Sequence, residues 1–270
     1  MALEIVRVDS VRAAAAILAA EAGARFLGGG TLTVRDVNYG DGSIGKLVLS
    51  DGLGLDKIEV DGRRVTLGAT VTMANIAAHP ALAFLKAVAS SIGGPAVRAM
   101  ATVGGNLFAP YPHGDFAVAL LALGAEATVE DADRSETVDL ESFLAISGQE
   151  KKPPIVMHVS FDVPPAGAFR FAKVIRRKPH GASVLSIAAV LPLVERKATG
   201  VRIAYGAMSP RPMRARAVEK ALEGKPLDAQ TVAIAVKMAA DGCKPLTDPQ
   251  ASEWYRLAVL PVHLQRLLSA

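Results

Sequence analysis

The most informative stretch of the chain is Ile92-Gly93-Gly94-Pro95-Ala96-Val97-Arg98-Ala99-Met100-Ala101-Thr102-Val103-Gly104-Gly105-Asn106-Leu107. Glycine has no Cβ, so the backbone at Gly104 and Gly105 can approach a ligand closely. Thr102 and Asn106 add side-chain hydrogen-bonding groups at the edges of the glycine pair. The stretch therefore predicts a ligand-binding loop in an α+β N-terminal half.

A single carboxylate follows this stretch at a defined distance. Asp115 lies nine residues beyond Asn106, where an apolar helix is predicted over Asp115–Leu123 and ended by Gly124. One role for Asp115 is to cap this helix. The other is to accept a hydrogen bond from a hydroxyl of a sugar or sugar alcohol.

A second glycine-rich stretch, Gly28-Gly29-Gly30-Thr31, directly follows a predicted strand over Arg25–Leu27. Backbone N–H groups without Cβ hindrance can converge on an anion there, and Thr31 adds a hydroxyl donor. A tight turn at the end of a sheet is the alternative. The stretch lacks the Lys-Ser/Thr pair of a P-loop, which excludes a nucleotide-hydrolysing site of that kind.

Two further patterns in the sequence are candidates for a ligand-binding site. Gly40 to Gly45 formally matches the dinucleotide fingerprint G-x-G-x-x-G, but a predicted strand, Lys46–Leu49, follows it where a helix is required, so a surface loop is predicted. Lys173 lies in a predicted strand, either as an exposed basic strand end or as a contact for an anion. The five histidines show no ligand spacing, so no catalytic residue and no metal site is predicted.

Composition narrows the function classes. The chain has 270 residues, of which 51% are hydrophobic and 21% charged, a balance typical of globular proteins. The net charge of +4 is spread along the chain without interleaved aromatic residues, which argues against nucleic-acid binding. The lone Cys243 excludes an internal disulfide and a cysteine-ligated iron–sulfur cluster. The longest uncharged run, Gly181 to Val194, is too short to span a membrane.

The pattern of elements changes near residues 150–167, where Lys151-Lys152-Pro153-Pro154 and Pro164-Pro165-Ala166-Gly167 interrupt the chain. Beyond this boundary three long strands with short connections predict an antiparallel sheet, and helices follow it. The strands are predicted over Phe169–Arg177, Ser183–Val194 and Val201–Ala207, and the helices over Ala215–Leu222, Thr231–Ala240 and Ser252–Leu268, with Pro261 kinking or splitting the last.

Taken in order, these segments resemble the FAD-binding subunit of the molybdenum hydroxylases, the group of xanthine dehydrogenase, carbon monoxide dehydrogenase and bacterial aldehyde oxidoreductases. The segments that carry the resemblance are Gly28–Thr33, Ile92–Leu107, Pro112 with Asp115, Phe171–Arg177, Arg202–Pro210, Arg214–Glu219 and Glu253–Leu257. Departures from the family pattern are Leu32 in place of Asp, Ala96 and Ala99 in place of Gln and Asn, and Lys178–Ala182 in place of an Asp-Ile/Leu-Ala step.

The resemblance implies a fold of the vanillyl-alcohol-oxidase type, also called PCMH-type, with two α/β subdomains and a C-terminal antiparallel sheet with helices. The FAD-binding domain is expected over 1–160, as subdomains of about 1–53 and 54–160, and the C-terminal domain over 167–270. The residues that the resemblance assigns to FAD are Gly28, Gly29, Gly30, Thr31, Leu32, Ala101, Thr102, Gly104, Gly105, Asn106, Asp115 and Lys173.

The resemblance also implies a role and partners. The chain is expected to be the electron-transfer subunit of a complex built as a dimer of heterotrimers, whose partners carry 2Fe-2S clusters and the molybdenum cofactor. A cytoplasmic location is expected, or export with a partner that carries a signal. A free-standing flavoprotein oxidoreductase of the same fold and a non-catalytic anion-binding scaffold are the alternatives.

Overall fold

The computed structural model describes residues 3–146 and 154–270 of the chain. Contacts divide it into two compact units, which are Met1–Ala109 with Ala125–Phe161, and Pro110–Gly124 with Asp162–Ala270. The predicted break at Lys151-Lys152-Pro153 lies outside the described residues. Helices and strands are mixed, and the α+β class predicted from the sequence is confirmed.

The first unit begins with a parallel three-stranded sheet in the order β1-β3-β2. Ser10 caps helix α1 by accepting a hydrogen bond from the N–H of Ala13, and Ala14 packs with Val48 in a small core. Helix α2 was not predicted, and the physical reason is that none of its residues is buried. The elements are β1 (Glu4–Val6), α1 (Val11–Ala20), β2 (Ala24–Leu27), α2 (Thr33–Asn38) and β3 (Lys46–Leu49).

The second sheet of this unit has five strands in the order β4-β5-β8-β6-β7. Its strands are β4 (Ile58–Asp61), β5 (Arg64–Gly68), β6 (Glu126–Glu130), β7 (Ser135–Asp139) and β8 (Ile155–Asp162). Asp61-Gly62, a dipeptide that favours tight hairpin turns, joins β4 to β5. No strand was predicted at β8, which lies centrally in the sheet and buries the adjacent pair Ile155 and Val156, so the period-2 pattern is lost.

Several helices of the first unit are short. The sequence predicts one helix over Ala81–Ser90 with Pro80 near its start, but Leu82 has non-helical dihedral angles, so a 3-10 helix that begins at Pro80 comes before a separate α-helix. The glycine-rich stretch 93–107 contains two short helices instead of continuous loop. The helices are α3 (Met73–Ala78), the 3-10 helix (Pro80–Leu85), α4 (Lys86–Ser90), α5 (Pro95–Met100), α6 (Val103–Leu107) and α8 (Leu140–Ile146). Helix α7 (Asp115–Leu123) lies between α6 and α8 in the chain and belongs to the second unit.

The second unit is built on an antiparallel sheet in the order β14-β13-β10-β9, as the sequence predicted for its three long strands. Helix α11 is not split at Pro261. The elements are β9 (Phe169–Ile175), β10 (Ser183–Val190), β11 (Leu193–Val194), β12 (Lys197–Ala198), β13 (Arg202–Gly206), β14 (Met213–Arg214), α9 (Arg216–Leu222), α10 (Ala229–Val236) and α11 (Glu253–Leu268).

The two faces of this sheet are covered by different helices. On one face Leu185, Ile187 and Tyr205 pack in a core with residues of α9, α10 and α11. On the other lies α7, all of whose residues are buried. Because α7 is needed to cover that face, Pro110–Gly124 packs with the second unit, although the sequence-based limits place it within 1–160. The domain limits 1–160 and 167–270 otherwise stay a prediction.

The strand predicted over Ser183–Val194 ends at Val190. Its last two residues, Leu193–Val194, form β11, which pairs with β12 in a separate two-stranded hairpin. Its turn residues Glu195 and Arg196 have φ of 49° and 65°, a conformation usually supplied by Asn-Gly or Asp-Gly. Because neither residue is a typical turn residue for that conformation, the sequence carried no hairpin signal there. Within the described part of the chain, no helix is both long and apolar enough to cross a membrane.

We expect Gly206→Ala to destabilise the protein, because the new methyl group would lie 2.7 Å from Cγ2 of Val118 in α7 and would overlap Oγ of Ser186. Overpacking of this kind costs about 1–3 kcal/mol of the free energy of unfolding, measurable by urea denaturation. Adding Ser186→Ala should recover part of that loss. Equal stability of Gly206→Ala and the parent would contradict the close packing of α7 on the sheet.

Candidate functional site

The loop after β2 presents a run of free backbone donors. Within residues 3–146 and 154–270, no N–H group from Gly28 to Leu32 donates a hydrogen bond to another protein group. Gly30 has φ of 68°, a conformation that favours glycine, and its carbonyl accepts from Val34 at the start of α2. Consecutive free N–H groups in a glycine turn form a site suited to an anion.

The same loop lies directly on the second glycine-rich stretch. A Cβ at Gly29 would overlap the carbonyl oxygen of Met100, and a Cβ at Gly28 would lie 3.0 Å from Oγ1 of Thr102. These glycines are therefore required by close approach of two backbone segments. The structure brings together Gly28, Gly29 and Thr102, which the sequence could only propose separately.

Gly104 and Gly105 differ from the expectation of an open ligand loop. Thr102 caps α6, and its Oγ1 accepts from the N–H of Gly105 at 3.1 Å. The N–H of Gly104 donates to Ala69, where a Cβ on Gly104 would lie 2.9 Å from the Ala69 methyl. Gly104 thus serves helix packing, whereas Gly105 is exposed. A role for this stretch in cofactor binding stays a prediction, and it cannot rest on the N–H groups of the two glycines.

Asp115 begins α7 but does not cap it. The capping residue is Gly114, whose φ is 101°, so the expected capping role of Asp115 is wrong. The carboxylate accepts instead from the Ser183 hydroxyl at 2.7 Å and pairs with the Lys173 ammonium at 2.8 Å. All three side chains are buried or nearly so, which contradicts the alternative of Lys173 as an exposed strand end.

Arg256 forms a second buried ion pair beside the first. Its guanidinium, fully buried, donates to Asp248 at 2.7 Å and lies 5.2 Å from the ring centre of Tyr111. Burial by itself raises the pKa of Asp248, but hydrogen bonds from Ala251, Gln250 and Arg256 outweigh it and lower the pKa. The sequence did not single out Ser183, Asp248 or Arg256, because the spacing of residues along the chain does not show which polar side chains meet in the fold.

Leu32 and Cys243, both noted in the sequence analysis, have local structural roles. Leu32 is the N-cap residue of α2 and makes no side-chain cap hydrogen bond, whereas the Asp usual in the family can accept one. Burial raises the pKa of the Cys243 thiol to about 11, and the thiol donates to the carbonyl of Ala239. At neutral pH this thiol is protonated, and a protonated thiol is a poor metal ligand.

The matches to protein families define the class of this chain, a flavin-binding subunit of the molybdenum-dependent oxidoreductase type. A family profile described as the FAD binding domain in molybdopterin dehydrogenase matches residues 1–165, and the CO dehydrogenase flavoprotein C-terminal domain matches residues 170–270. The chain belongs to this family of FAD-binding oxidoreductase subunits, which confirms the resemblance drawn from the motifs.

Individual relatives agree with that assignment. The glyceraldehyde dehydrogenase medium chain of Sulfolobus acidocaldarius is 29% identical over 174 residues. This match covers 64% of this chain and 62% of the relative, so it spans less than two thirds of the relative's length. The nicotinate dehydrogenase FAD-subunit of Eubacterium barkeri is 26% identical over 75% of this chain and 72% of its own. A chain of the carbon monoxide dehydrogenase structure from Hydrogenophaga pseudoflava has the same fold, with a TM-score of 0.92, 23% identity, and coverage of 100% of this chain and 97% of that chain.

We expect Lys173→Met to lower the free energy of unfolding by about 3–5 kcal/mol, because it leaves the Asp115 carboxylate buried without its cation. The double variant Lys173→Met with Asp115→Asn should lose less than the sum of the two single losses. Arg134→Met, at an exposed pair with Glu136, is the control and should change stability by less than about 1 kcal/mol. Additive losses in urea denaturation would contradict a coupled buried pair.

We expect Gly29→Ala to lose FAD, because the loop must move away from Met100 to make room for a methyl group. Gly42→Ala, in the G-x-G-x-x-G match, should keep FAD, since a Cβ there has no atom within 4 Å. The readouts are the flavin-to-protein absorbance ratio after gel filtration and circular dichroism to check folding. Stoichiometric FAD in a folded Gly29→Ala variant would overturn the assignment of this loop.

Proposed function

We propose that this chain is the electron-transfer subunit of a multi-subunit molybdenum hydroxylase, passing electrons from iron–sulfur clusters of a partner through FAD to an external acceptor. The observation that carries the proposal is the pairing of two flavoprotein domain matches with a single cysteine. A 2Fe-2S cluster is usually held by four thiolates, so the clusters belong to another chain.

The names of the relatives support a shared assembly. They are a medium chain and an FAD-subunit, words that describe one component of a larger enzyme. We infer two partners, an iron–sulfur subunit and a subunit with the molybdenum cofactor where substrate is hydroxylated, arranged as a dimer of heterotrimers. The role of this chain is to bind and orient FAD and to set the environment of the flavin.

The N–H groups from Gly28 to Leu32 are the part of the chain best suited to the FAD pyrophosphate, because they are consecutive donors with no acceptor in the described part of the protein. Thr31 adds a hydroxyl. A pyrophosphate there would be held by backbone hydrogen bonds, which are strengthened when the acceptor is charged. FAD supplies the electron-carrying chemistry when bound, and these N–H donors fix the position of its pyrophosphate.

Asp115 and Lys173 are proposed to act on FAD as a pair. The sequence offered Lys173 as a contact for an anion, but its ammonium is paired with the Asp115 carboxylate at 2.8 Å. A close ion pair acts on its surroundings as a dipole, whose field falls more steeply with distance than that of a single charge. The orientation of the pair therefore matters as much as its charge.

We expect the purified chain to carry FAD and to be reduced by an artificial reductant, yet to oxidise no substrate of the complex. The reason is that no acid, base or nucleophile was identified in the sequence, and the carboxylate and ammonium found together are bonded to each other. Flavin absorbance during anaerobic titration with dithionite, with metal analysis of the same sample, checks this expectation.

Mixing the chain with the purified partner subunits should restore substrate-dependent reduction of the flavin. Substrate turnover by the isolated chain would favour the free-standing flavoprotein. Absence of flavin would favour the anion-binding scaffold, and stoichiometric iron in the isolated chain would contradict the assignment of the clusters to a partner.

A further inference from the structure

Strand β10 begins with a bulge next to the Asp115–Lys173 pair. Ser183 pairs with Ile175 of β9 and Leu185 pairs with Val174, so β10 holds one extra residue, Val184, at this point. A bulge of this kind shifts the alternation of side chains along the strand. As a result Ser183 and Ser186, three residues apart, lie on the same face of the sheet as Lys173.

Arg256 binds the backbone of this bulge. One terminal nitrogen of its guanidinium donates to the carbonyl of Ser183 at 3.1 Å and also to the carbonyl of Val184. The other terminal nitrogen donates to Asp248, which keeps the buried cation paired. Carbonyls at a bulge lose regular ladder partners and are costly to bury unpaired, so a buried guanidinium is a fitting donor for them.

Ser183 therefore joins the two buried ion pairs. Its carbonyl accepts from Arg256, and its hydroxyl donates to Asp115 at 2.7 Å. A carboxylate can only accept, so the Ser183 proton must point at Asp115. The second carboxylate oxygen is left to the Lys173 ammonium. Both oxygens of Asp115 are then engaged, and the carboxylate is held in one orientation.

We propose that Ser183 and Arg256 are positioning residues for the Asp115–Lys173 pair, and through it for the affinity and midpoint potential of bound FAD; this rests on the proposed role of the pair in FAD binding. Arg256 holds the bulge, the bulge turns the Ser183 hydroxyl towards α7, and the hydroxyl fixes the carboxylate that orients the Lys173 ammonium. Neither Ser183 nor Arg256 needs to touch the cofactor.

The test compares two serines on one strand. Ser183→Ala removes the hydroxyl that binds Asp115, whereas Ser186→Ala removes an equally buried hydroxyl that has no hydrogen-bond partner among the residues that the structure describes. The FAD dissociation constant and the flavin midpoint potential are measured on the full chain. We expect Ser183→Ala to weaken FAD binding about ten-fold, because the Asp115–Lys173 pair is no longer held in one orientation before FAD binds. Its potential should shift in the same direction as Lys173→Met and by less.

Ser186→Ala should leave both quantities unchanged, and Ser183→Thr, which keeps the hydroxyl, should restore both. A general loss of packing would not distinguish the two serines or respond to threonine. If Ser183→Ala behaves like Ser186→Ala while Lys173→Met shifts the potential, the positioning role is overturned and the proposed FAD site stands. If Lys173→Met also shifts neither quantity, the assignment of the pair to FAD fails as well.

Arg256→Lys provides a second, independent arm in case Ser183→Ala does not fold. Lysine keeps the positive charge beside Asp248 but replaces two donor nitrogens with one, so it cannot reproduce both sets of bonds. We expect a shift of the potential in the same direction as Ser183→Ala or, failing that variant, as Lys173→Met. An unchanged potential and FAD affinity in Arg256→Lys would remove Arg256 from the proposal.

Discussion

A buried carboxylate links helix α7 to the sheet of the second unit. Asp115, at the first residue of α7, is held by Ser183 of β10 and Lys173 of β9. Burying a carboxylate costs several kcal/mol unless charge and hydrogen bonds compensate it, so the stability of the helix on the sheet depends on these three residues together. The fully apolar remainder of α7 supplies burial but little direction, whereas the carboxylate supplies a fixed register against the sheet.

Much of this architecture follows from local sequence. The boundaries of β3 and α7 agree with those predicted, because each is a short apolar run ended by glycine or by a change of pattern. The antiparallel strands after residue 167 were likewise visible as long apolar runs with short connections. The FAD-binding family was recognised because its motifs recur in order along nearly the whole chain.

The parts that escaped prediction have physical causes. Strand β8 is central and buries adjacent residues, so alternation is lost, and α2 buries none, so it has no apolar period. The sequence marked Asp115 and Lys173 as polar residues in apolar segments. It could not show that the two side chains bind each other. Ser183 and Arg256 carried no signal, because a bulge depends on pairing between strands and not on the residues of one strand.

The insertion of α7 makes the second unit discontinuous along the chain. Its helix is synthesised well before β9 and β10, with Ala125–Phe161 of the other unit in between. An apolar helix of this kind has no sheet to cover until β9, β10 and β13 have been made, and β13 ends at Gly206. Folding of the second unit therefore depends on contacts between distant segments, which are slow to form. A fragment that starts at residue 167 would lack the helix altogether and present a bare sheet face to solvent.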